Sequence, residues 1–107
     1  MIDAELRQCE LSANVDIASP KVLMVNVAFR IPRHMRDGLI VVRMTMPAGE
    51  TLVQSEGVYL TEVMQSRSLT FQAPQSGAYT IVVLLSEGST LEVLAVRELR
   101  VTAGSKD

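Results

Sequence analysis

Ala78-Tyr79-Thr80-Ile81-Val82-Val83-Leu84-Leu85 carries apolar side chains at odd and even positions alike. Its β-branched content reads as a strand, and a strand greasy on both sides needs cover twice, once from its own core and once from something else. Leu39 to Met46 and Leu91 to Val96 share the property. Cys9 to Ile17 and Leu69 to Ala73 do not: there apolar and polar residues alternate, as in a strand with one wet face. The chain therefore contains two kinds of strand, and the difference between them bears on both fold and function.

Working outward, turn residues break the chain about every ten positions, the spacing of a sandwich or barrel of short strands. The breaks are Ser19-Pro20-Lys21, Pro32 through Gly38, Pro47-Ala48-Gly49, Gln65-Ser66-Arg67, Pro74-Gln75-Ser76-Gly77 and Ser86-Glu87-Gly88-Ser89. All four prolines fall in these breaks or at strand ends, where a missing N–H costs no ladder bond. Seven strands result. The first, Leu6 to Ile17, turns Cys9, Leu11, Ala13, Val15 and Ile17 inward, and the second, Val22 to Ile31, turns Leu23, Val25, Val27, Phe29 and Ile31 inward. The third is Leu39 to Met46, and the fourth lies within Thr51 to Met64, with Gly57 marking a bulge or split. Ser68 to Ala73, Ala78 to Leu85 and Leu91 to Val101 follow. Residues 1–101 make one β-sandwich domain and 102–107 a flexible polar tail.

Gly77-Ala78-Tyr79, opening the sixth strand after Pro74, resembles the tyrosine corner of immunoglobulin-like sandwiches, in which the phenol bonds back to the preceding connection; an ordinary core tyrosine is the other reading. The fold expected is an all-β, seven-stranded antiparallel immunoglobulin-like Greek-key β-sandwich, without the disulfide and core Trp of antibody domains. In that arrangement strands one, two, four and five share a sheet, and three, six and seven form the other. With Ile40, Val42, Tyr79, Ile81, Val83, Leu91 and Val93 facing the core, the outer face of the second sheet carries Leu39, Val41, Val82, Leu84, Leu94 and Val96. Reversing any one strand exchanges its members and leaves the face apolar.

Composition narrows the function. Nearly half the residues are apolar, Trp is absent, and a net charge of -2 argues against nucleic acid or an anionic membrane as the partner. The longest apolar run, Ile81 to Leu85, is too short to span a bilayer, and the N-terminal residues do not read as a secretory signal. One cysteine allows no internal disulfide and points to a cytoplasmic protein. Cys9 and His34 could form a nucleophile–base pair, but Cys9 sits at an apolar-phase strand position where a buried inert thiol is commoner. One His and one Cys cannot close a zinc site, the carboxylates lack calcium-loop spacing, and no phosphate cradle is present. Sugar binding is disfavoured, because only Tyr59 and Tyr79 could offer a stacking platform.

The expected function is a non-enzymatic structural or protein-interaction module that needs no cofactor or metal. It self-associates, most simply as a homodimer, or docks a protein partner through Leu39, Val41, Val82, Leu84, Leu94 and Val96, unless a loop such as Thr51 to Gln65 roofs that face. Arg33, His34 and Arg36 form a second candidate, an anion or acidic-partner loop, against which stands the reading of a solvated turn. A different class remains open: a small apolar ligand held between the sheets, with specificity from the Arg33 to Gly38 loop.

Overall fold

The computed structural model describes residues 9–19, 21–31, 36–73 and 75–103. Seven strands follow one another: β1 (Glu10–Ser19), β2 (Val22–Arg30), β3 (Arg36–Thr45), β4 (Thr51–Leu60), β5 (Gln65–Gln72), β6 (Gly77–Glu87) and β7 (Val93–Ala103). They form two antiparallel sheets, ordered β1-β2-β5 and β4-β3-β6-β7, which is the immunoglobulin-like sandwich expected from the punctuation.

One strand changes sheets relative to expectation: β4 pairs with β3 from Arg36↔Leu60 to Thr45↔Thr51 instead of joining β1, β2 and β5. The connection between them decides this. Met46 N donates to Glu50 O at 2.7 Å and Gly49 N to Met46 O at 2.9 Å, closing a tight turn. Gly49 takes φ +106°, a left-handed conformation open to glycine without steric cost. So short a tie leaves the following strand no route across the sandwich, so it returns beside the strand it left. The pairing runs through Leu39↔Gly57 without interruption, so Gly57 marks no bulge.

Between the sheets, period-two alternation delivers the core. Leu23, Val25, Val27, Phe29 and Ile31 are buried on one side, and Ile40, Val42, Met44, Tyr79, Ile81, Val83 and Leu85 on the other. Each such side chain stabilises the fold by about 1.5–3 kcal/mol through removal from water. One flank is stitched by polar contacts from β4 to β5: Arg67 Nε to Glu56 Oε2 at 2.9 Å and Gln54 Nε2 to Thr70 O at 2.6 Å. On the other flank β1 lies against β7.

Tyr79 makes the corner. Its ring is fully buried, its hydroxyl donates to Gln75 O at 2.5 Å, and it accepts from Gln75 N at 3.0 Å. The phenol thus holds the β5–β6 connection to the start of β6, which is the tyrosine-corner geometry rather than simple packing.

Edges depart from strict alternation. Ile17, expected inward, is 53% exposed, beside a register shift between Ile17 and Ser19 at the open end of an edge strand. In β7 the register slips where Leu85 pairs with Ala95 but Ser86 with Val93, leaving Leu94 as the extra residue. Leu94 therefore enters the core at 8% exposure, whereas Leu91 and Val93, expected inside, are exposed. β7 also runs beyond Val101: Thr102 is in the strand and Ala103 is buried, so the expected tail does not begin at Thr102; positions 104–107 lie outside the described residues.

Candidate functional site

The outer face of the second sheet follows from burial and register. Because Ile40, Val42 and Met44 point inward, Leu39, Val41 and Arg43 point out; because Ile81, Val83 and Leu85 point inward, Val82 and Leu84 point out. Cross-strand pairing lines these up in rows across β4, β3, β6 and β7. One row reads Val53, Arg43, Val82, Glu98, the next Ser55, Val41, Leu84, Val96, and the next Gly57, Leu39, Ser86, Val93.

Of the six residues expected on this face, five are there. Leu39, Val41, Val82 and Leu84 form its half-buried centre, shielded by their lateral neighbours, and Val96 is 45% exposed. Leu94 is not among them, because the β7 bulge turns it into the core. The segment expected as a possible roof, Thr51 to Gln65, widens the face instead: Thr51 through Leu60 extend the sheet, and Val53, 57% exposed, joins the patch. Sequence reasoning missed Val53 by placing β4 in the opposite sheet. The Pro47-Ala48-Gly49 tie was the signal that could have found it.

The outer face of the first sheet is of the opposite character. Asn26 Nδ2 donates to Asn14 Oδ1 at 2.9 Å and to Asp16 Oδ2 at 2.8 Å, and Ser68 Oγ donates to Asn26 Oδ1 at 2.7 Å. Glu10 and Arg30, paired across β1 and β2, form a bidentate salt bridge at 2.8–2.9 Å. That contact holds the Glu10 carboxyl below its ordinary value and raises the Arg30 guanidinium, the hydrogen bond contributing most in each case.

The basic loop is only partly described. Arg33 and His34 lie outside the described residues; Arg36 Nη1 lies 3.4 Å from Glu87 Oε2 and so is engaged within the fold. Glu87 organises the β6–β7 turn, its Oε1 accepting from Ser89 Oγ at 2.8 Å and Thr90 Oγ1 at 2.9 Å. The Ser89 hydroxyl, then that of Thr90, and least of all Arg36 hold the Glu87 carboxyl below the usual carboxylate range. Cys9 is partly buried and packs against the core. Among the described residues no three His, Cys, Asp or Glu side chains gather as a metal site requires. Between the sheets the largest fully buried side chains include Tyr79, Phe29, Leu23, Ile40 and Met44.

No family model and no curated protein matches the sequence. Solved structures do match in shape. A domain of the outer membrane lipoprotein Omp28 from Porphyromonas gingivalis is 13% identical with a TM-score of 0.66, covering 92% of this chain and 91% of that one. A β-glucuronidase from Bacteroides uniformis is 13% identical with a TM-score of 0.70, covering 90% of this chain and 13% of the enzyme. A β-glucuronidase from glycoside hydrolase family 2 is 13% identical with a TM-score of 0.61, covering 85% and 11% respectively. The chain thus spans only 11–13% of the length of those enzymes, and what it shares with all three is a β-sandwich fold.

Proposed function

We propose that this chain is a non-catalytic β-sandwich module whose task is to dock protein through the outer face of its second sheet. The observation that carries the reading is the uncovered row structure of Leu39, Val41, Val82, Leu84, Val53 and Val96, on a domain whose other outer face is a hydrogen-bonded polar ladder. Contiguous apolar patches on a monomer's surface are often functional, and here four half-buried aliphatic side chains are flanked by the exposed Val53 and Val96. The likeness to a lipoprotein domain of matching length, and to small portions of much longer glycosidases, supports a module over a self-contained enzyme.

Photo-crosslinking tests it. With p-benzoylphenylalanine in place of Leu84, irradiation in the native cell extract yields discrete protein adducts. The same probe in place of Ser68, on the polar face, yields none. Equal labelling from both positions refutes a docking role for the second sheet.

A further inference from the structure

We infer that the occupant of this face is a second copy of the chain, related by a two-fold axis running along β6. The inference rests on the docking reading and adds the partner and its register. It comes from the order of charges across the sheet. In one row Arg43 on β3 pairs with Val82 on β6, and Val82 pairs with Glu98 on β7. Arg43 and Glu98 are exposed, and among the described residues neither forms an ion pair. With a whole strand between them they stand about 10 Å apart at the backbone, and they do not meet within one molecule.

Rotation by 180° about β6 exchanges the β3 side with the β7 side. Arg43 then faces the partner's Glu98, and Glu98 faces the partner's Arg43. In the adjoining row Leu84 meets its own copy and Val41 meets the partner's Val96; one row further, Leu39 meets the partner's Val93. Every apolar side chain that β3, β6 and β7 place in the three rows is set on an apolar one, and each charge on its opposite, while Val53 on β4 lies outside the overlap. Other axes fail this test. Rotation about β3 stacks Arg43 on itself, and rotation about an in-plane axis across the strands at Leu84 sets Arg43 on the partner's Leu39. Two-fold pairing demands a self-complementary patch, and the β6 axis supplies one.

Size sets the expected strength. Three strands at ~4.8 Å spacing and ten residues at ~3.4 Å rise give roughly 500 Å² of flat sheet per copy, before side-chain relief. That is toward the low end against about 800 Å² per partner in a standard interface, so a micromolar dimer is expected. Face-to-face sheets pack about 10 Å apart, a gap that extended Arg and Glu side chains bridge.

The experiment is sedimentation equilibrium on the intact chain and its charge-reversed variants, with native mass spectrometry of mixtures. Wild type dimerises in the micromolar range. Arg43→Glu alone and Glu98→Arg alone each weaken homodimerisation by roughly 30-fold, because each dimer holds the contact twice and each reversal turns attraction into repulsion. Mixing the two variants restores a one-to-one heterodimer, since both cross contacts are again of opposite sign, and the double variant R43E/E98R regains the homodimer. Far-ultraviolet circular dichroism confirms that each variant is folded. A dimer broken by Leu84→Lys but indifferent to both charge reversals overturns the β6 axis and leaves the docking reading intact. A dimer indifferent to all three substitutions, as pairing through the β4 edge would be, overturns the axis and places association elsewhere. A wild-type chain monomeric throughout the sub-millimolar range overturns the second copy, while adducts from Leu84 in the cell extract would still uphold docking.

Discussion

Replacing Tyr79 by Phe isolates the corner from the core. The phenyl ring stays in a fully buried position, so no cavity opens and the apolar contribution is unchanged. Only the hydroxyl is lost, and with it the bonds to Gln75 O and from Gln75 N. Each intramolecular hydrogen bond is worth about 0.5–1.5 kcal/mol net, and a buried group left without a partner costs about 1–3 kcal/mol. The corner is part-buried, so water reaches the freed Gln75 groups in some measure and the expected loss is about 2 kcal/mol. Gln75 also accepts from Ala48 N through Oε1 at 3.0 Å, so loosening it slackens the β3–β4 turn as well. In a chain of 107 residues this lowers Tm by roughly 10 °C. Urea unfolding followed by circular dichroism measures it, with an unchanged m-value showing that the unfolded state is unaffected. Tyr59→Phe, at an exposed position on the outer face, is the control and stays within about 0.5 kcal/mol. If Tyr79→Phe falls inside the same 0.5 kcal/mol band as that control, the hydroxyl contributes nothing and the corner argument fails.

Gly38→Ala sets a Cβ 2.5 Å from Leu60 Cγ in the core, so it should destabilise by about 1–3 kcal/mol, and combining it with Leu60→Ala should cost less than the two separate losses in denaturant titration. Leu85→Ala should cost about 2–5 kcal/mol, whereas its neighbour Leu84→Ala, on the opposite face, should cost under about 1.5 kcal/mol in the monomer. The Glu87 carboxyl is held below its ordinary value, so its contribution is present above the unfolded-state pKa and disappears as pH falls through the folded one. Glu87→Gln should therefore be less stable than wild type at neutral pH, with the gap in urea midpoint closing on acidification below the ordinary carboxylate range. Joint Val41→Thr and Val82→Thr replacement keeps β-branching while making the outer face polar; sedimentation should show weaker association with the monomer's stability changed by less than about 1 kcal/mol.

On β2, β3 and β6, the strands with a neighbour on each side, the inward positions read from the sequence are the buried ones. Leu23, Val25, Val27 and Phe29 of β2 and Ile31 just after it are buried, as are Ile40, Val42, Tyr79, Ile81 and Val83. The errors sit where a single extra residue or a short connection overrides the period. One bulge residue, Leu94, reverses the phase of the start of β7, moving itself in and Val93 out. Nothing in Leu91-Glu92-Val93-Leu94-Ala95-Val96 distinguishes the two phases, because aliphatic residues occupy both. The partner sheet of β4 depended on the geometry of one turn rather than on any apolar pattern, since most of β4 is exposed on both sides. The candidate face survived both errors: losing Leu94 and gaining Val53 changes its membership and leaves its character.

An apolar outward row is not in itself an argument for a partner, because cross-strand neighbours such as Val41, Leu84 and Val96 stabilise their own sheet by about 0.2–1 kcal/mol a pair. The charges separate the two explanations. On the first sheet Glu10 and Arg30 are direct register partners, and they satisfy each other within the molecule at 2.8 Å. A sheet face organised for its own stability places its opposite charges that way. On the second sheet Arg43 and Glu98 share a row but straddle Val82, where neither stabilises the other by contact. Moving either by one strand would have made an internal pair. Their spacing matches the step from β3 to β7 across an axis on β6, so the same two residues that are wasted within one chain become a reciprocal pair between two.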